Sequence, residues 1–201
     1  LVCLHQDIRW TYKEFVDKVN EAARAFMAIG VKRGDRVGIW SPNRYEWTVT
    51  QFATAKVGAI LVNINPAYGV HELQYALNLA GITTLVTADS FKASNYREML
   101  YELAPELKRS APGKLKADHL PDLRAVINMH EDKHEGMWTW KEFIGFAGDV
   151  SEADLSQRQS ELQFDDPINI QFTSGTTGNP KGATLTHHNI LNNGYFVAES
   201  Q

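Results

Sequence analysis

Cysteine is almost absent: Cys3 is the sole thiol among 201 residues, so no disulfide can close within the chain and a reducing compartment is the simpler expectation. Long apolar runs are missing too. The best, Val57-Gly58-Ala59-Ile60-Leu61-Val62, falls far short of the roughly twenty residues that a membrane-spanning helix needs, so no transmembrane segment is expected. Positive charge is not in excess, since 20 Lys and Arg face 24 Asp and Glu for a formal net charge of −4. With no basic stripe interleaved with aromatics, nucleic acid is not an expected partner. The first residues show neither a secretory signal nor an arginine-rich transit peptide, and they begin abruptly, as an excised piece would. No tandem repeat is visible. What is present, 43% hydrophobic residues, suffices for one good core in one large or two small domains.

Strand and helix patterns alternate through most of the chain. Leu1 to Trp10 reads as two short extended pieces around a His5-Gln6-Asp7 turn. Thr11 and Glu14 form a capping box for a helix whose apolar stripe is Phe15, Val19, Ala22, Ala23, Phe26 and Met27, with Gly30 closing it. A strand follows at Arg36–Trp40, then a helix from about Arg44 to Lys56 with Trp47, Phe52, Ala53 and Val57 inward. Ala59 to Ile64 lacks polar alternation, as a strand covered on both faces does. A third helix over Val70–Ala80 leads to the strand Thr83–Thr87, and Asp89 and Ser90 are N-cap candidates for a fourth helix reaching Leu103. Residues 104–120 read as an irregular surface connection before a strand at Leu123–Asn128. Trp138–Phe146 and Ser151–Gln163 read as two further helices. Such alternation with short connections predicts an α/β fold built mostly from parallel βαβ units.

The chemistry is concentrated near the C-terminal end. Thr173-Ser174-Gly175-Thr176-Thr177-Gly178-Asn179-Pro180-Lys181-Gly182 lies between the apolar runs 168–172 and 183–185, which predicts a strand, a tight loop and a second strand. Glycines let successive backbone N–H groups converge on an anion, while Thr173, Ser174, Thr176 and Thr177 add hydroxyl donors and Lys181 a mobile cation. A polyphosphate is the expected ligand. The Walker A pattern does not fit, because Pro180 stands where its second glycine should be and Gly182 where its metal-binding hydroxyl should be. Proline also disfavours a helix opening at the lysine.

Other motifs weigh less. Arg33-Gly34-Asp35 sits between a helix and a strand, where turn chemistry accounts for it. His130-Glu131-Asp132-Lys133-His134 matches H-E-x-x-H, but zinc binding by that pattern needs a helix with both imidazoles on one face. This stretch follows a strand directly, has no apolar residue to bury and runs into Glu135-Gly136. Glu152 or Glu161 as third ligand would come from a polar stretch with no motif of its own. A solvated loop is the plainer expectation. His187 and His188 are adjacent and could not share a metal on a helix.

The loop, with Leu185-Thr186-His187-His188-Asn189 after it, resembles the phosphate-loop signature of the adenylate-forming enzymes: acyl-CoA synthetases, luciferases and peptide-synthetase adenylation domains. The run from Trp10-Thr11-Tyr12 through Gly34-Asp35-Arg36-Val37 to Val62-Asn63-Ile64-Asn65-Pro66-Ala67-Tyr68 is similar to the N-terminal part of fatty acyl-CoA synthetases, nearest to the medium-chain ligases of mitochondria. The resemblance implies that residues 1–201 are a partial N-terminal, AMP-binding domain. It implies activation of a fatty acid with ATP and Mg2+ to an acyl-adenylate, then transfer to coenzyme A. Thr173, Ser174, Gly175, Thr176, Thr177, Gly178, Asn179, Pro180 and Lys181 would hold ATP, with Lys181 balancing charge on the departing pyrophosphate. His187 would either shape the site or cap and orient a helix beginning near Asn189.

The family's Thr-Glu motif for magnesium, its ribose-binding aspartate and its C-terminal lysine domain are not found, so no metal ligand is assigned. The expectation is a ligase fragment that is inactive alone and whose partner is the remainder of its own polypeptide. A mitochondrial matrix location follows from the resemblance, the cytosol otherwise. Rival expectations are a luciferase-like or peptide-synthetase enzyme, a noncatalytic binding fragment and, last, a zinc hydrolase.

Overall fold

The computed structural model describes residues 1–173 and 180–200. A small antiparallel pair, β1 (Val2–Cys3) and β2 (Ile8–Arg9), brackets a single helical turn at Leu4–Gln6. Gln6 ties this corner down, since its amide donates to both carboxylate oxygens of Glu46 at 3.1 and 3.0 Å. Helix α1 (Tyr12–Ala28) starts at the expected capping box: Thr11 N–H donates to Glu14 Oε2 at 2.8 Å, and Glu14 N–H donates to Thr11 Oγ1 at 3.3 Å. Gly30, at φ +91°, takes the left-handed position after its last turn.

Strands β3 (Arg36–Trp40), β4 (Ile60–Asn63) and β5 (Ile82–Thr87) alternate with helices α2 (Tyr45–Val57) and α3 (Val70–Ala80). A two-rung hairpin, β6 (Ser90–Phe91) and β7 (Ser94–Asn95), precedes α4 (Tyr96–Leu103). Then come β8 (Ala125–Asn128), β9 (Trp138–Thr139), α5 (Trp140–Gly145), α6 (Glu152–Ser160), β10 (Pro167–Thr173), β11 (Lys181–Thr186) and α7 (His187–Glu199). Seven strands form one sheet in the order β11-β10-β4-β3-β5-β8-β9. Every neighbouring pair is parallel except β10 and β11, which make an antiparallel hairpin. The fold is the α/β, mostly parallel architecture that the sequence predicts.

The sheet is covered on both faces. Val37, Ile39, Leu61, Val86 and Ile127 pack under α1, α2, α5 and α6. Val62, Ile64, Leu85 and Val126 pack under α3 and α4. Apolar side chains on both faces explain why β4 shows no polar alternation.

Four local expectations change. Asn95, not Asp89 or Ser90, caps α4, its side chain accepting from Glu98 N–H at 3.1 Å, because Asp89 is engaged elsewhere and residues 90–95 form the hairpin. Phe52 is 49% exposed rather than inward, edge-on to Phe15 with centroids 5.4 Å apart. The connection 104–120 is irregular beyond one turn at Pro105–Arg109, yet Leu107, Leu115, Ala117 and Leu120 anchor it in the core. Trp138 and Thr139 belong to β9, since a second capping box, Thr139 with Glu142, delays α5 to Trp140.

Thr11→Ala should lower stability by about 1 kcal/mol in urea unfolding followed by circular dichroism, because it orphans the first-turn N–H of α1. An unchanged midpoint would contradict the role given to the capping box.

Candidate functional site

Parallel strands β3, β4 and β10 deliver their C-terminal ends to one edge of the sheet, the edge at which open α/β folds bind ligands. Two aromatic side chains fix the turn after β4. Trp40 and Tyr96 stack with centroids 3.5 Å apart and planes 11° from parallel. Trp40 Nε1–H donates to Asn65 O at 3.2 Å, and Tyr96 O–H donates to Pro66 O. Between this turn, Ser41-Pro42-Asn43 after β3 and the end of β10 lies a cleft of about 590 Å3. Trp47, Tyr68 and Phe172 give it aromatic walls, Asn43, Asn63 and Gln171 give it amides, and among the described residues no charged side chain lines it.

The strands that flank the glycine-rich stretch end beside this cleft. The two expected flanking strands are present: Thr173 pairs with Lys181 on the last described rung between β10 and β11, and Thr173 Oγ1–H donates to Lys181 O at 3.4 Å. Ser174, Gly175, Thr176, Thr177, Gly178 and Asn179 lie outside the described residues. Thr173 and Pro180 line the cleft, and Lys181 is exposed next to it. Register places Asn63, Gln171, Thr173 and Lys181 on one face of the sheet, with Ile170 and Phe172 on the other face in the α3 layer. Asn63 Oδ1, together with Asn169 Oδ1 further down β10, is buried without a partner among the described residues. An unpaired buried acceptor costs about 1–3 kcal/mol, so a donor arriving here would be favoured. The sequence signal for these amides was the alternation of β10, in which Asn169, Gln171 and Thr173 interleave with Ile168, Ile170 and Phe172.

His187 is not brought to Lys181. It opens α7 at the far end of β11, six residues or about 20 Å from Lys181. Nor does it cap that helix: Thr186 does, accepting from Asn189 N–H at 3.2 Å. His187 N–H donates to Asp166 O at 3.3 Å, its Nε2 is buried without a partner among the described residues, and burial lowers its pKa against the opposing pull of Asp166.

The remaining motifs are absorbed by structure. His130 Nδ1 and His134 Nε2 lie 3.4 and 3.2 Å from the two oxygens of Asp89, in a loop and not a helix. Gly136 closes that loop at φ +73°, where an added Cβ would lie 2.0 Å from Leu107 O. Among the described residues no group of three or more His, Cys, Asp or Glu is placed to hold a metal. Arg33 and Asp35 are engaged within the chain: Arg33 Nη2 lies 2.7 Å from Asp166 Oδ1, and Asp35 Oδ2 accepts from Lys32 N–H at 2.9 Å.

An open, mostly parallel α/β domain with a cleft at the carboxyl edge of its sheet is the class that these elements define. The family described as AMP-binding enzyme matches residues 1–201, and the chain belongs to it. Its relatives include the mitochondrial medium-chain acyl-CoA ligase ACSF2 of Danio rerio, 46% identical over 197 residues and 98% of this chain. The human ACSF2 ligase is 44% identical over 200 residues, 99% of this chain. In both cases the chain spans 32% of the relative's length. Among solved structures, acetoacetyl-CoA synthetase from Streptomyces lividans superposes with TM-score 0.72 at 26% identity, covering 94% of this chain and 27% of that one. ATP-bound MatB from Rhodopseudomonas palustris superposes with TM-score 0.69 at 25% identity, covering 96% and 33%.

Because the folded chain holds His187 neutral more firmly than the unfolded chain does, its contribution to stability is present above about pH 6.5 and is lost as pH falls below that value. His187→Gln should therefore flatten the acid side of the stability profile in urea titrations at a series of pH values. Parallel profiles for the two proteins would contradict this.

Proposed function

We propose that the chain is the N-terminal, AMP-binding part of an acyl-CoA ligase that activates a medium-chain fatty acid with ATP and passes the acyl group to coenzyme A. The observation that carries this reading is the loop's emplacement. Thr173 and Lys181 close the β10–β11 hairpin at the carboxyl edge, beside an uncharged cleft with an unpartnered amide oxygen. Membership of the AMP-binding family and the names of the ACSF2 relatives support the reaction and the acyl class. The same names support a mitochondrial location. No helix among the described residues is long and apolar enough to cross a membrane.

In the first half-reaction a carboxylate oxygen attacks the α-phosphorus of ATP, the bond to pyrophosphate breaks, and acyl-adenylate forms. The chain's part is positioning and charge stabilisation. Residues 173–181 hold the phosphates, and the Lys181 ammonium offsets the charge that accumulates on the leaving pyrophosphate. Magnesium, when bound, would screen the phosphates. Among the described residues the cleft presents no carboxylate to ligate it. The thiol of coenzyme A then displaces AMP from the adenylate.

Helix α7 supports the further reading that this chain works as part of a longer polypeptide. No residue of it is buried, and Leu191, Tyr195, Phe196 and Val197 are 75, 58, 66 and 49% exposed. That much apolar surface on one helix needs a cover, and the remainder of the same polypeptide supplies it.

In the intact polypeptide, Lys181→Ala should slow ATP–pyrophosphate exchange by about 100-fold. Because Lys181 is exposed, the unfolding free energy should change by no more than about 0.5 kcal/mol. Undiminished exchange would refute the role assigned to Lys181. The purified 201-residue chain should form no acyl-adenylate from radiolabelled ATP and dodecanoate, and detectable adenylate would overturn its reading as a part.

A further inference from the structure

His187, at the other end of β11 from Lys181, lines a second cleft. This cleft, of about 480 Å3, opens between α1, α2, the segment after α6 and the first turn of α7. Phe15, Val16, Phe52, Leu162 and Phe164 form its walls. Val16, Phe52 and Phe164 are 43, 49 and 64% exposed, so they leave apolar area in water that an apolar ligand would remove.

Two polar groups interrupt these walls. Lys56 Nζ donates to Asn20 Oδ1 at 2.7 Å and has no carboxylate partner among the described residues. Its ammonium is partly withdrawn from water, burial being the sole cause that lowers its pKa. The other group is the buried, unpartnered Nε2 of His187. A cation without a counter-ion and an unpaired imidazole nitrogen, set among phenylalanines, match a ligand with a long apolar body and one anionic head.

We propose that this cleft binds an unesterified acyl carboxylate, its head at Lys56 and its chain along Phe15, Phe52, Leu162 and Phe164. The site lies at the opposite end of β11 from Lys181, so its occupant does not compete for the cleft beside the glycine-rich loop. It is an additional acyl site, separate from the one in which the carboxylate is activated. Neutral alkyl chains would share the walls and miss the ammonium, and a protein segment lying over the cleft would exclude both.

The test uses the intact polypeptide that carries this chain, with dodecanoate and dodecanol as paired probes and a diazirine analogue of dodecanoate for labelling. Photolabelling should mark the peptides that contain Phe52 and Phe164. Displacement of the label should favour dodecanoate over dodecanol by about 10-fold, the scale of one charge-assisted hydrogen bond. Lys56→Met should abolish that preference while dodecanol still competes, and Phe52→Gln should weaken both probes. Pyrophosphate exchange should survive in both variants. Labelling confined to other peptides, or an undiminished preference in Lys56→Met, would overturn the proposal. Lys181→Ala should leave the labelling intact, so this inference and the ligase reading can fail separately.

Discussion

The parallel match of Asn169, Ile170 and Gln171 with Leu61, Val62 and Asn63 sets the edge of the sheet from which the glycine-rich loop departs. Were β10 to run the other way, the loop would emerge at the amino edge, beside the cleft that His187 lines. Running parallel, it emerges where β3 and β4 also end, and Thr173, two residues beyond the Gln171 partner of Asn63, lines the same cleft as Asn63. The entry to β10 is held by Asp166. Its carboxylate meets Arg33 Nη2 at 2.7 Å and accepts from Gln163 N–H at 2.9 Å, while its carbonyl accepts from His187 N–H. The Arg33 side chain is half exposed, so this ion pair adds little stability and serves mainly to fix register.

Function follows from how the two faces of the sheet differ near β10. Over β3, β4, β5 and β8 both faces are apolar and covered by helices. At β10 one face remains apolar, with Ile170 and Phe172 against the α3 layer, while the other turns polar through Asn169, Gln171 and Thr173. The core thus ends where a polar ligand would begin. Trp40 and Tyr96 stiffen the adjoining turn from within the core, so the rim of the cleft rests on packed aromatics.

Much of this was legible in the sequence because it rests on local patterns. Capping boxes, glycine stops and the unalternating run at 59–64 located most helices and the parallel strands, and the apolar runs on either side of the glycine-rich stretch located β10 and β11. Long-range contacts were not legible. Nothing adjacent in sequence shows that Asp89 serves two imidazoles some forty residues downstream, which removes it from capping α4. Phe52 follows the helical period yet meets water, since the cleft lined by Phe15, Phe164 and His187 lies above it. His187 follows the loop closely in sequence, and the extended geometry of β11 carries it away. The orphaned amide of Asn63 could be recognised only once β4 and β10 were known to be neighbours.

The central claim is that the loop on β10 receives the phosphates of a nucleotide at the carboxyl edge of the sheet. Amide chemical shifts of the 15N-labelled protein during titration with Mg-ATP test it most directly. Shifts centred on Thr173, Gly175, Gly178 and Lys181, with His187 and His130 unmoved, are the predicted result. Saturating Mg-ATP that leaves these loop amides in place, or shifts centred on the His130 and His134 loop, would contradict it.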